Sequence, residues 1–283
     1  MKSLFAAAIL LLSPTAAVAQ DIGLDTHVHL WDGETSIRAY EAQLKASGLS
    51  VSGFGAMWFG GPNQALEGKP EEVRRNNDDL IDLADKHPGM VPIATVHPYD
   101  GQAALDELAR VAGRGVRVLK IHPHTQKFAI IDPRVGALVE RAGLLKLVVL
   151  IDNANILPGD SENLFNLALA HPKTKFIFAH MGGMNFRFWN MLALARTAEG
   201  LFADNIYFDI SATTVIASGS PIEAEFVWTI RNVGIDHVLL GSDFPQFSYP
   251  QTRAAFDRLP LTGEEKAKIL HANARRLFGV KGD

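Results

Sequence analysis

The segment Asp25-Thr26-His27-Val28-His29-Leu30-Trp31 places two imidazoles one residue apart. On a strand, alternate side chains share a face, so His27 and His29 are expected about 7 Å apart on one side, where they could share an ion. Two buried imidazoles side by side need partners, and a cation satisfies both at once. A second signal is Asp243 in LLGSDFP, a carboxylate that follows an apolar run. Its burial is costly unless a cation or hydrogen-bond donors pair with it. Between these lie Lys120 and His122 in VLKIHPH, Asp152 and Asn153 after VVLI, and His180 after KFIFA.

For such residues to meet, the chain must bring distant segments together. Eight β-rich runs end in polar, Gly or Pro residues: IGLDTHVHLW, VSGFGAMWF, MVPIATVHP, VRVLKIHP, LKLVVLIDN, KFIFAHMGG, IYFDISAT and HVLLGSDFP. Stretches of helical period separate them, such as EEVRRNNDDLIDLADKH, SENLFNLALAH and FRFWNMLALARTAEG, and GEEKAKILHANARRLFG closes the chain. The alternation and the nearly continuous apolar strands predict one α/β domain over residues 20–283, a (β/α)8 TIM barrel. A doubly wound sheet is the rival, but no G-x-G-x-x-G or phosphate-loop glycine pattern follows an early strand. In a barrel the C-terminal strand ends converge on one mouth. The first and last strands become neighbours, which brings His27, His29 and Asp243 together. His97 and His124 read singly as packing or hydrogen-bonding residues, as do His87, His171, His237 and His271.

Composition excludes several classes of function. The 283 residues are 47% hydrophobic and 20% charged with a net charge of −4, as in a globular protein with a large core. With a pI near 6.2 and no basic run, neither nucleic acid nor an anionic membrane is an expected partner. The expected partner is a small molecule, and self-association into a homo-oligomer stays open. Cysteine is absent, which removes disulfides, thiolate ligands and a thiol nucleophile. Residues 1–19 read as a secretory signal peptide: Lys2, an apolar run from Leu4 to Leu12, and Ala17-Val18-Ala19 before the cleavage point. The mature chain is therefore expected to be exported, to a bacterial periplasm or outside the cell, with no membrane insertion.

Taken in order, DTHVHLW, VLKIHPH, FIFAHMGG, LLGSDFP and KILHANARRLFG resemble the amidohydrolase superfamily, and more narrowly its amidohydrolase-2 branch. That branch includes aminocarboxymuconate semialdehyde decarboxylase-like enzymes and pyrone dicarboxylate lactonase-like hydrolases. The resemblance runs from about Gly23 to Val280. It implies that His27 and His29 are metal ligands. It also implies that Asp243 binds the ion and handles the proton of an attacking water, and that His180 polarises substrate or transfers a proton. Where many members place a strand-five ligand histidine, this chain has Asp152-Asn153.

These implications give a set of expectations. One divalent ion, Zn²⁺ ahead of Mn²⁺, is expected on His27, His29 and Asp243 with Asp152 as supplement, and no organic cofactor. A carboxylated Lys120 bridging two metals is a variant within the superfamily. The favoured reaction is hydrolysis of a lactone, ester or amide in a small cyclic or carboxylated substrate by metal-activated water, with Asp243 as base. His180 and His122 would stabilise the oxyanion or protonate the leaving group. Lys120 would meet a substrate carboxylate, and Trp31, Trp58 and Phe244 would form an aromatic wall. The alternatives are a metal-dependent carboxy-lyase on the same barrel, metal-free lactone hydrolysis, and an exported binding protein without turnover.

Overall fold

The computed structural model describes residues 22–60 and 63–280, so the expected signal peptide lies outside the described residues. Eight parallel strands follow one another in sequence order: β1 (Gly23–His29), β2 (Val51–Met57), β3 (Met90–Thr95), β4 (Val118–Ile121), β5 (Val148–Ile151), β6 (Lys175–Phe178), β7 (Ile206–Asp209) and β8 (Val238–Leu239). The ends of this sheet also meet. Val28 bridges Phe244 in parallel, the Thr26 N–H donates to the Leu240 carbonyl at 3.1 Å, and the Asp243 N–H donates to the His27 carbonyl at 2.9 Å. The chain is the expected TIM barrel.

Period-two alternation sorts the strand residues into two layers. Leu119, Ile121, Val149, Ile151, Phe176, Phe178, Ile206 and Phe208 point outward into the main core, under helices such as Pro133–Leu144 and Glu223–Val233. Val118, Val148, Leu150, Ile177 and Leu239 form a smaller interior cluster with Ala274, Leu277 and Phe278 of the C-terminal helix. Lys120 shares the parity of Val118, and Asp209 that of Tyr207, which packs on the interior cluster. Both are therefore interior side chains.

In β1 the alternation breaks. Relative to β2, β1 carries one extra residue between Asp25 and Val28. Upstream of this bulge Leu24 joins the interior cluster. Downstream, Val28 and Leu30 pack outward with Ile37 and Tyr40 of the helix Gly33–Ser47, which leaves His27 and His29 facing the interior. At the seam Gly241 has no substitute: a Cβ there would lie 2.7 Å from the His27 Cβ and 3.1 Å from the Thr26 hydroxyl. The missing side chain lets the last strand close on the first.

Two stretches differ from the helical pattern. The helix Gly33–Ser47 is absent from the periodic stretches because its exposed face is polar and only Ile37, Tyr40 and Leu44 bury apolar bulk. The run after β6, Ala179–Asn190, is a pair of tight turns separated by a kink, ahead of a short helix Met191–Ala195. His180, Met181, Gly182 and Gly183 all take positive φ there, and consecutive left-handed residues cannot continue a right-handed helix.

Candidate metal centre and mouth cavity

His27 Nε2, His29 Nε2 and Asp243 Oδ1 form a nearly equilateral triangle. The edges are 3.2 Å between the imidazoles and 3.4 and 3.3 Å from each to the carboxylate. Their ring centroids are 5.0 Å apart, nearer than strand spacing alone suggests. The neighbours of the two histidines fix which nitrogen carries a proton. His29 Nδ1 lies 2.6 Å from the Phe59 carbonyl, which can only accept, so Nδ1 is the N–H. His27 Nδ1 lies 2.7 Å from Asp209 Oδ2 and donates in the same way. Burial and then the charge of Lys120 lower the His27 pKa to about 4, so this ring is neutral at pH 7. Burial acts to raise the Asp243 pKa, but the facing imidazoles of His29 and His27 outweigh it and hold the carboxyl below its usual range.

Three acceptor atoms thus converge with no donor among them. Lone pairs at such distances repel unless a cation joins them. Three ligands at tetrahedral angles, each about 2.0–2.1 Å from an ion, lie about 3.3–3.4 Å apart, and the triangle matches that size. The residues therefore fit a divalent ion. His180 also approaches: among the described residues, donor atoms of His27, His180 and Asp243 all lie within 4.8 Å of one another.

Asp209 and Ser211 support this centre, and sequence reasoning missed both. Burial acts to raise the Asp209 pKa, but His27 and the hydrogen bond from Ser211 bring it below the usual carboxylate range. The Ser211 N–H donates to Asp209 Oδ1 at 2.7 Å, and the Ser211 hydroxyl lies 3.0 Å from His180 Nδ1 and 3.4 Å from His27 Nδ1. The available signal was IYFDISAT, in which Asp209 ends an apolar strand as Asp243 does. Asp25 was missed too. It accepts from the Ser242 N–H at 2.8 Å and the Tyr40 hydroxyl at 3.0 Å, which ties the segment bearing Asp243 to β1.

Asp152 faces the other side of the site. Its Oδ2 is 3.2 Å from His180 Nε2 and 3.5 Å from His122 Nε2. Asp152 is thus found as the partner of two histidines, His180 and His122. Burial acts to lower the His180 pKa, but the Asp152 hydrogen bond and the carboxylates around it raise it to about 9. A protonated His180 and an ionised Asp152 make a buried ion pair. The Thr213 hydroxyl donates to the His180 carbonyl at 2.6 Å and holds the left-handed backbone. His122, lowered to about 4 chiefly by burial, is neutral.

A cavity of about 150 Å³ opens over these groups, walled by His29, Trp31, Phe59, Lys120, His122 and Asp152 among others. Of the three aromatic residues expected to line it, Trp31 does. Trp58 and Phe244 instead pack behind β1 with Val28, Ile37 and Tyr40. Both follow the outward parity of their segments, and Phe59 takes the wall position. His97 and His124 are hydrogen-bonding residues here: His97 Nε2 bonds the Gln126 carbonyl at 2.7 Å and His124 Nε2 bonds Asp160 at 2.8 Å.

A closed barrel with its polar side chains gathered at the C-terminal strand ends defines the class, the (β/α)8 barrels that carry their sites at that face. Within this class the chain belongs to the amidohydrolase family, whose model matches residues 24–280. A curated relative, the gamma-resorcylate decarboxylase of Rhizobium radiobacter, is 27% identical over 122 residues, 40% of this chain and 36% of that protein. The match thus spans about a third of the relative's length. Among solved structures, 5-carboxyvanillate decarboxylase from Sphingomonas paucimobilis superposes with a TM-score of 0.71 at 17% identity, covering 93% of this chain and 100% of that one. Dihydroxybenzoic acid decarboxylase from Polaromonas, solved with manganese and the inhibitor 2-nitroresorcinol, gives 0.67 at 16% identity, covering 93% and 98%. At these identities the structural likeness is one of fold.

These relatives overturn the expectation of a hydrolase. They are decarboxylases, and the carboxy-lyase alternative is the reading they favour. The error has a chemical origin. Two histidines, an aspartate and an ion serve equally to activate water or to withdraw electrons from a bound acid, so the strand motifs do not separate the two reactions.

Proposed function

We propose that this chain is a metal-dependent carboxy-lyase that removes CO₂ from a small carboxylated aromatic ring. The observation that carries the proposal is the donor-free triangle of His27, His29 and Asp243 at the edge of a cavity of about 150 Å³. A cavity of about this volume accommodates one benzene ring. The decarboxylase relatives support the choice of reaction. The ion is divalent, and the oxygen-rich surroundings of Asp243, Asp209 and Asp152 suit Mn²⁺ as well as Zn²⁺.

His27, His29 and Asp243 would hold the ion, whose chemistry is to polarise the oxygens of a bound acid. The rest falls to the chain. The C–C bond to the carboxyl group breaks, CO₂ leaves, and the ring carbon must gain one proton. His180 lines the cavity and carries a proton between Asp152 and Ser211, so it is the group placed to deliver it. Asp209 keeps the His27 lone pair turned inward. Phe59 and Trp31 wall the ring and limit water.

The test is turnover of hydroxylated benzoates by Mn²⁺- or Zn²⁺-loaded protein in D₂O. One CO₂ per product and one deuterium at the vacated ring carbon are expected. Recovery of every ring acid unchanged, or a product that keeps its carboxyl group, refutes the proposal. The charged start, apolar run and Ala17-Val18-Ala19 further support export of the mature chain. N-terminal sequencing of the exported protein should begin at Gln20, and a retained Met1 would contradict it.

A further inference from the structure

The cavity floor holds a group that the proposed reaction has not yet used. Lys120 is 1% exposed and ranks among the largest fully buried side chains of the described residues. It lines the cavity beneath His122. Its backbone is pinned, since its carbonyl accepts the Thr95 hydroxyl at 2.7 Å, and Val118 below it is packed in the interior cluster. Yet its Nζ takes part in none of the ion pairs or side-chain hydrogen bonds found among the described residues. Burial lowers its pKa, and Asp152, Asp209 and Asp243 oppose this only through space. A buried lysine is ordinarily paired, because unmet donors in a low-dielectric interior are costly. Here the side chain lines a cavity that a ligand can enter.

We infer that Lys120 binds an anionic oxygen of the ring substrate, so that the ring is held between this amine and the His27, His29 and Asp243 end of the cavity. The inference rests on the carboxy-lyase reading and deepens it. It also addresses a charge problem, since Asp152 and Asp243 line the cavity, with Asp209 behind His27, and an anionic substrate needs groups that offset them. A metal at one end and the Lys120 N–H donors at the floor meet such an anion from two sides, and together they select a planar acid over a neutral ring. Two substrate groups share the required chemistry, the carboxylate and an ortho phenolate.

The experiment compares Mn²⁺-loaded wild type with Lys120→Met and Lys120→Gln by isothermal titration calorimetry. The probes are 2-hydroxybenzoate, 2-hydroxybenzamide and 2-methoxybenzoate, and metal content is measured alongside. Lys120→Met keeps the chain length of the side chain, and the glutamine variant covers a failure of the methionine variant to fold. The expected result is about a tenfold or greater loss of 2-hydroxybenzoate affinity with metal content unchanged. If only 2-methoxybenzoate shows the same loss, Lys120 holds the carboxylate; if only 2-hydroxybenzamide does, it holds the phenolate. Affinities within twofold of wild type for all three probes overturn the inference, and so does loss of the metal in both variants. In either case deuterium incorporation by the wild type still stands as separate support for the carboxy-lyase. If the wild type binds none of the probes and releases no CO₂, the reading beneath the inference falls with it.

Discussion

The variant His27→Ala/His29→Ala is expected to lose its metal. Elemental analysis of wild type prepared without added metal or chelator should give about one equivalent of a divalent ion, and the variant less than about a tenth of that. Two of the three converging acceptors disappear in the variant, and Asp243 alone is a weak ligand in competition with water. CO₂ release should fall by about a thousandfold or more, because substrate polarisation is lost with the ion. Retention of the full metal content would show that the ligands lie elsewhere. The wild-type comparison also separates two readings of the same triangle. A protein that holds no ion even after reconstitution leaves the two imidazoles for substrate.

The second large effect concerns a residue that touches His27 but is not itself in the triangle. Asp209→Asn preserves shape and removes one charge, and it is expected to weaken metal binding about 10–100-fold. The local hydrogen bonds dictate the direction. Asp209 Oδ1 accepts the Ser211 backbone N–H at 2.7 Å, and that donor cannot turn away. The amide oxygen of an asparagine must therefore face Ser211, which puts its NH₂ against His27 Nδ1. His27 would then carry its proton on Nε2, and the lone pair aimed at the ion would be gone. Competition titration with a chromophoric chelator reads the dissociation constant directly. An unchanged constant would mean that Asp209 does not set the tautomer. Asp209→Glu keeps both acceptor oxygens and should recover part of the affinity.

Much of this arrangement was legible in the residues. Alternation of strand and helix gave the barrel, and barrel closure placed Asp243 beside His27 and His29, as the structure shows. Lys120 and His122 share the interior parity expected of β4. The partners of the ligands were harder to see. The Phe59 carbonyl is a backbone atom and carries no side-chain signature. Asp209 lies 182 residues from His27, and only the closed barrel joins them. His180 reaches Asp152 from a run of three left-handed residues, His180, Met181 and Gly182, a shape that periodicity does not encode. The hydrolase assignment went astray at another level, since the motifs specify an electrophilic centre and say little about which bond breaks there.

The extra residue in β1 has a consequence for how the barrel can change. In seven residues the strand runs in two phases: before the bulge even positions serve the packed interior, and after it odd positions serve the mouth. Lower and upper storeys of the barrel are therefore read in separate frames. Replacements at Leu24 can tune the packing without rotating His27, and exchanges at His27 or His29 leave the phase of Leu24 untouched. Chemistry and architecture are thereby uncoupled at the first strand, and the rim can be rewritten on a foundation that stays the same.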